Sequence, residues 1–178
     1  MFEEEENDGY KSHDEIKKMP VFKKAWDLSI LVRHLIKSVE NTEIAFKSEY
    51  EEDMLNRNLR YLAENSMIIP AKISGAEAAD IYDLKMENAA IIRKAARELI
   101  TDARGLQICG YKETEYLDLL RSEVEEFRIL FAEWVKTFDP WNYIIDRWGL
   151  FNPPGVNYDD KDPDDDIPFN PLDEFGDL

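Results

Sequence analysis

The 178-residue sequence predicts an all-α fold: an antiparallel up-down-up-down four-helix bundle with extended acidic N- and C-terminal tails. Three observations predict it. Four apolar stripes recur at alternating spacings of three and four residues, the repeat of a bundle helix. Only seven glycines occur, fewer than turn-rich sheet folds use. No segment shows the apolar/polar alternation of a half-buried strand, and no internal repeat is visible.

The first predicted helix opens at Pro20, a residue suited to a first helical turn. Val21, Ala25, Leu28, Val32, Leu35 and Val39 line its inner face, and Asn41-Thr42 stops it. The second begins near Ile44–Phe46 and carries Leu55, Leu59, Leu62, Ser66, Ile69 and Ile73. Pro70 falls inside that stripe without shifting its phase, which predicts a kink rather than a stop. Ser74-Gly75 is its expected end, by the preference for glycine just past a helix. The third helix is expected to be capped by Asp80 and lined by Tyr82, Met86, Ala89, Ile92, Ala96, Leu99, Ala103 and Leu106, ending at Gly110. So many alanines let a neighbouring helix approach closely. The fourth starts near Thr114, buries Leu117, Leu120, Val124, Phe127, Phe131, Trp134 and Phe138, and breaks at Asp139-Pro140. A short fifth helix is expected around Trp141–Trp148. The chain thus divides into an acidic tail over 1–15, a bundle over 16–139, a short helical or aromatic extension over 140–150 and an acidic, flexible tail over 151–178.

The net charge of −17 is unevenly placed. Residues 1–15 carry −6 and residues 151–178 carry −8, which leaves −3 on everything between. The bundle is close to neutral, so overall acidity does not exclude an anionic partner for it. The only cysteine, Cys109, cannot form an internal disulfide. No stretch approaches the ~18 apolar residues of a membrane span, and the acidic start is unlike a signal or transit peptide. A soluble, cytoplasmic protein is expected.

No catalytic, cofactor or metal site emerges. A di-iron bundle needs Glu-x-x-His pairs, and neither His13 nor His34 belongs to one. Helical ribonucleases need an arginine a few residues before a histidine, whereas Arg33 directly adjoins His34. Cys109 lies near a helix C-terminus, where the dipole disfavours a thiolate. Adjacent carboxylates such as Glu51/Glu52 and Glu125/Glu126 diverge on a helix and read as solvated faces. No phosphate loop, nucleophile elbow or Cys-x-x-Cys is present.

Two surface features remain. Arg93, Arg97 and Arg104 are spaced by four and seven residues, so they share one stripe of the third helix, with Lys94 beside it. Three guanidinium forks over roughly 16 Å suit phosphates or an acidic surface. The plainer expectation is that Glu98 and the acids of the fourth helix, or of a neighbouring subunit, neutralise them. The C-terminal tail carries Tyr158, Ile167, Phe169, Leu172 and Phe175 among its acids and prolines. It reads either as a solubiliser or as a segment that docks on a partner or a neighbouring subunit.

Several segments resemble the bacterial four helix bundle protein family, which contains the ribosomal RNA intervening-sequence proteins and the accessory variability determinant of diversity-generating retroelements. Phe22-Lys23-Lys24-Ala25-Trp26-Asp27-Leu28 is similar to that family's opening helix. Ile69-Pro70-Ala71-Lys72-Ile73 resembles its proline-containing second-helix signature, with Ile68, Lys72, Ser74 and Gly75 where the family usually has Ser, Asn, Ala and Glu. Ile91–Leu99 and the Gly110-Tyr111 turn also fit, so the likeness covers residues 20–138 and neither tail. It implies a non-enzymatic homo-oligomer, a five-fold ring in known members. It further implies association with a reverse transcriptase and its structured RNA through a basic surface. The expected function is a non-catalytic adaptor without cofactor or small-molecule substrate, the alternative being a protein-only assembly module with no nucleic-acid role.

Overall fold

A computed structural model describes residues 11–161; what the sequence predicts for residues 1–10 and 162–178 lies outside the described residues. The chain is all-helical, with α1 at His13–Lys18, α2 at Pro20–Glu40, α3 at Glu49–Ala78, α4 at Tyr82–Ile108 and α5 at Thr114–Val135, and no strand among the described residues. Each of α2 to α5 packs against two of the others: α2 on α3 and α5, α4 on α3 and α5. The diagonal pairs have no such close backbone approach, although Trp134 of α5 reaches Glu77 of α3 through its side chain. The predicted stripes supply the core between them, with Leu28, Leu35, Leu62, Ile69, Ile92, Leu99, Leu117, Leu120 and Phe127 essentially inaccessible. Burying each such side chain contributes about 1.5–3 kcal/mol, whereas the exposed pairs Arg121–Asp118, Arg128–Glu125 and Lys136–Glu133, screened by solvent, contribute little. The apolar stripes therefore decide the fold.

The predicted bounds hold for α2 and move elsewhere, for identifiable reasons. α3 begins at Glu49 and not at Ile44–Phe46, because Ser48 accepts the Glu51 amide as N-cap while the Glu51 carboxylate accepts the Lys47 amide at 2.8 Å. Ile44 and Phe46 lie half-buried against the core from the preceding loop. Pro70 is buried within a continuous helix, as its unbroken phase implies. The helix does not stop at Ser74-Gly75. Gly75 keeps a negative φ, and buried Ala76 and Glu77 hold one more turn in the core. Gly110 does end α4, at φ 98°, with the Tyr111 amide reaching back to the Leu106 carbonyl and the Gly110 amide to Gln107. This paired closure of the last carbonyls needs a left-handed residue, hence glycine. α5 ends at Val135; Phe138 stays buried through a following turn and meets Trp134 edge-on, ring centroids 4.8 Å apart.

Asp80 does not cap α4. Its carboxylate accepts the Lys85 ammonium at 2.9 Å, and Ile81 takes the N-cap position without a side-chain bond. The Tyr82 amide of the first turn finds its acceptor in the Asn142 carbonyl at 2.7 Å, on the segment that follows α5. The acidic tail expected over 1–15 also gives way to structure. Ser12 and Glu15 form a reciprocal capping box that starts α1, Ile16 is buried, and Lys11 pairs with Glu77 of α3.

α3 and α4 share the most extensive interface. An added Cβ at Gly105 would lie 2.7 Å from Cγ of Asn58, and one at Gly75 3.8 Å from Oδ1 of Asn88. Between these points Asn65 donates to Asp102 at 3.4 Å. Numbers fall along α4 as they rise along α3. Of the alanines expected to permit close approach, Ala89, Ala96 and Ala103 are buried, and Ala96 faces α5.

Asp102 is 8% exposed, and burial pushes its carboxyl up from 3.8 to about 6, with Glu98 adding to the rise and the Asn65 hydrogen bond opposing it. A folded-state value above the unfolded one means that the folded protein binds the extra proton. Stability from this group therefore grows as pH falls from 7 through about 6 towards 4. Asp102→Asn is expected to raise unfolding free energy at pH 7 by about 1–3 kcal/mol, with the gain vanishing below pH ~4. Urea unfolding of both proteins across that pH range checks it.

Candidate functional site

The α4 face opposite the Ala/Ile/Leu stripe carries Arg93, Arg97 and Arg104, all exposed. Helix geometry turns 100° per residue, which keeps the three within about 40° of one another while the core stripe faces inward. Among the described residues none of them forms an ion pair within 4.0 Å. The expected neutralisation by Glu98 and the acids of α5 does not occur among the described residues. Glu98 takes Lys94 at 3.6 Å, which separates Lys94 from the stripe. The α5 acids are committed elsewhere: Glu125 to Arg128, Asp118 to Arg121, Glu133 to Lys136, and Glu123 and Glu126 to Lys24 of α2. Glu125 and Glu126, read from the sequence as merely solvated, thus act as separate ion-pair partners.

Arg93 and Arg97 border an open groove of about 560 Å³ between α4 and α5. Its floor is apolar, made by Ala96, Ile100, Val124, Phe127 and Phe131, and the ion pair of Arg128 and Glu125 stands on the opposite rim. Two stripe members expected in the core, Val124 and Phe131, are only half-buried because this groove opens beside them. Arg104 lies on the same face beyond the groove. The structure therefore joins two of the predicted cations to an apolar trough, an arrangement that suits an anionic ligand with hydrophobic groups.

Residues 141–148, expected to be helical, instead run as turns, because Asp146 binds the backbone that follows it. Its carboxylate accepts the amides of Trp148, Leu150 and Phe151 at 2.8–2.9 Å. Those bonds, the Phe151 amide foremost, hold the Asp146 carboxyl below its ordinary 3.8. Asn152 locks the loop by exchanging two bonds with the Asp146 backbone, at 2.7 and 2.9 Å. Gly149 turns the chain at φ 71°. Arg147 donates to the carbonyls of Tyr158 at 3.0 Å and Asp160 at 2.7 Å. The beginning of the tail expected to be flexible over 151–178 is thereby tied down as far as residue 160.

This folded loop displays apolar side chains: Trp141 is 87% exposed, Trp148 90% and Leu150 75%. Tyr158, one of the predicted docking residues, is exposed beside Gly149. Ile167, Phe169, Leu172 and Phe175 lie outside the described residues. Sequence reasoning missed the loop, although an Asp followed by Trp-Gly and an Asn six residues on is a turn signal. It also missed Glu77, 2% exposed, whose Oε1 accepts Nε1 of Trp134 at 2.5 Å and which binds Lys11.

Burial, with Glu51 nearby, raises the Cys109 thiol above 9.0, away from nucleophilic use. No cluster of three or more metal-ligating side chains occurs among the described residues, and no described helix is long and apolar enough to cross a membrane. Comparison with family models, curated proteins and solved structures finds no match.

Replacing Asp146 with Ala is expected to speed amide exchange at Trp148, Leu150 and Phe151 while leaving thermal unfolding of the helices unchanged. Because the Asp146 value is depressed, loop order is present above the ordinary carboxylate range and lost as pH falls through the depressed value. Hydrogen exchange by mass spectrometry across acidic pH checks both statements.

Proposed function

We propose that the protein is a non-catalytic, cytoplasmic homo-oligomeric adaptor that binds a ribonucleoprotein partner, such as a reverse transcriptase and its structured RNA, through the arginine face of α4. The observation that carries this reading is the set of three arginines on one helix face that have no acidic partner among the described residues. Phosphate oxygens are the ligands that such fixed, unpaired forks hold best. The likeness of residues 20–138 to the four helix bundle proteins supports the same reading and suggests a pentamer, whose repeated stripes would make a continuous positive band. We read α2–α5 as an antiparallel up-down-up-down four-helix bundle. In support, Asn58/Gly105, Asn65/Asp102 and Gly75/Asn88 run in opposite senses along α3 and α4, and Lys24/Glu123 and Ser38/Glu113 do so along α2 and α5 with its N-cap.

The proposal expects a structured RNA to be retained at low salt, with affinity falling as salt rises. Changing Arg93, Arg97 and Arg104 together to Glu should abolish retention without changing the helical circular-dichroism spectrum. Absence of retention by the original protein at low salt would remove RNA from the function.

A second reading, a protein-only assembly module, is favoured by the exposed Trp141, Trp148 and Leu150 on a loop that internal hydrogen bonds hold in place. Preordered aromatics of this kind are typical anchors of protein interfaces. On that reading Trp141→Ser/Trp148→Ser lowers the oligomer mass measured by light scattering, whereas the arginine variant leaves it unchanged.

A further inference from the structure

We infer that the α4/α5 groove is the docking site of this chain's own C-terminal segment, residues 162–178. The inference goes beyond the RNA reading and does not rest on it.

Charge complementarity comes first. The segment carries seven acids and no base, and the groove is bordered by Arg93, Arg97, Arg128 and Glu125; Glu125 is paired with Arg128, which leaves Arg93 and Arg97 as the cations without an acidic partner among the described residues. Apolar matching comes second. Ile167, Phe169, Leu172 and Phe175 are interleaved with Asp164, Asp165, Asp166, Asp173, Glu174 and Asp177. That pattern complements an apolar floor flanked by cations, since each hydrophobic group entering the floor brings a carboxylate to the rim. The prolines at 163, 168 and 171 restrict backbone freedom and so reduce the entropy lost when the segment is held.

Reach comes third. Arg147 holds the carbonyl of Asp160, and the same loop, through Arg147, Trp148 and Leu150, lines a recess with Glu87 of α4. The segment therefore leaves the described structure beside the N-terminal part of α4. From Glu87 to Arg97 is ten residues of helix, about 15 Å. The seven residues from Asp160 to Ile167 span up to about 23 Å when extended. The chain reaches its own groove with length to spare, and the acids at 164–166 arrive at the level of Arg93 and Arg97. Docking in this way makes the tail an internal competitor, so that any anionic partner of α4 meets an occupied face and has to displace it.

A nitroxide at position 170 of the full-length chain (Cys109→Ala, Asn170→Cys) tests this by paramagnetic broadening of backbone amides. The amides of Ala96, Ile100, Val124 and Phe127 are expected to lose most of their intensity. The effect should disappear in Arg93→Glu/Arg97→Glu and return when Asp164, Asp165 and Asp166 are also changed to Lys. The inference is overturned if these amides are unaffected, or if the broadening survives the arginine reversal. It is also overturned if spin-labelled, isotope-free chains broaden unlabelled ¹⁵N chains to the same degree, which would assign the groove to the tail of a second copy. RNA takes no part in the measurement, so failure here leaves the RNA proposal standing, and failed RNA retention leaves this one standing.

Discussion

The close approach of α3 and α4 is the constraint on which the rest of the arrangement depends. Gly105, Asp102 and Asn88 mark the side of α4 against which α3 lies, from Asn58 to Gly75. That seating carries a cost, because it encloses Asp102 against Asn65 at a pH where its carboxyl would otherwise ionise freely. It also sets the rotation of α4. With Ile92, Leu99 and Leu106 turned into the core, the arginines, on the far side of the same helix, have only solvent and the α5 groove to face.

Local pairing then leaves those arginines without an acidic partner among the described residues. Each α5 cation has a carboxylate three residues away on its own helix, and Glu123 and Glu126 lean towards Lys24 on the other side. Such exposed pairs are individually weak, because solvent screens them. They nonetheless form at little entropic cost, while a bond from α5 to Arg93 or Arg97 would have to cross an apolar groove. The positive face is thus a consequence of where the nearest acid happens to be. The same principle ties the C-terminal loop, where Asp146 satisfies backbone amides that no helix or strand provides for.

The helices were legible because their signal is collective: six to eight apolar residues in phase outweigh any single misplaced one. Pro70 illustrates this, since its lost hydrogen bond is offset by a stripe that continues on both sides. Single-residue signals fared worse. Gly75 looked like a C-terminal stop but sits within the helix, because the burial of Ala76 and Glu77 favours a further turn. Asp80 looked like a cap but is taken by Lys85, with the backbone of Asn142, 60 residues later in the chain, serving the first turn of α4 instead. The Ser12–Glu15 capping box was written plainly in the sequence, yet six residues of helix are stable only because Ile16 finds a core and Lys11 finds Glu77.

By itself, then, the sequence determined the helical class, the inward stripe of each long helix, the Gly110 stop and the grouping of the three arginines on one face of α4. All of these follow from the 3.6-residue repeat or from one residue's backbone preference. The tertiary structure decided where α3 ends, what completes the first turn of α4, that residues 141–152 form a loop held by Asp146, and that Arg93 and Arg97 overlook an apolar groove. The physical reason is common to them. Each depends on which donor, acceptor or apolar surface arrives from a distant part of the chain, and periodicity along one helix carries no information about its neighbour's side chains.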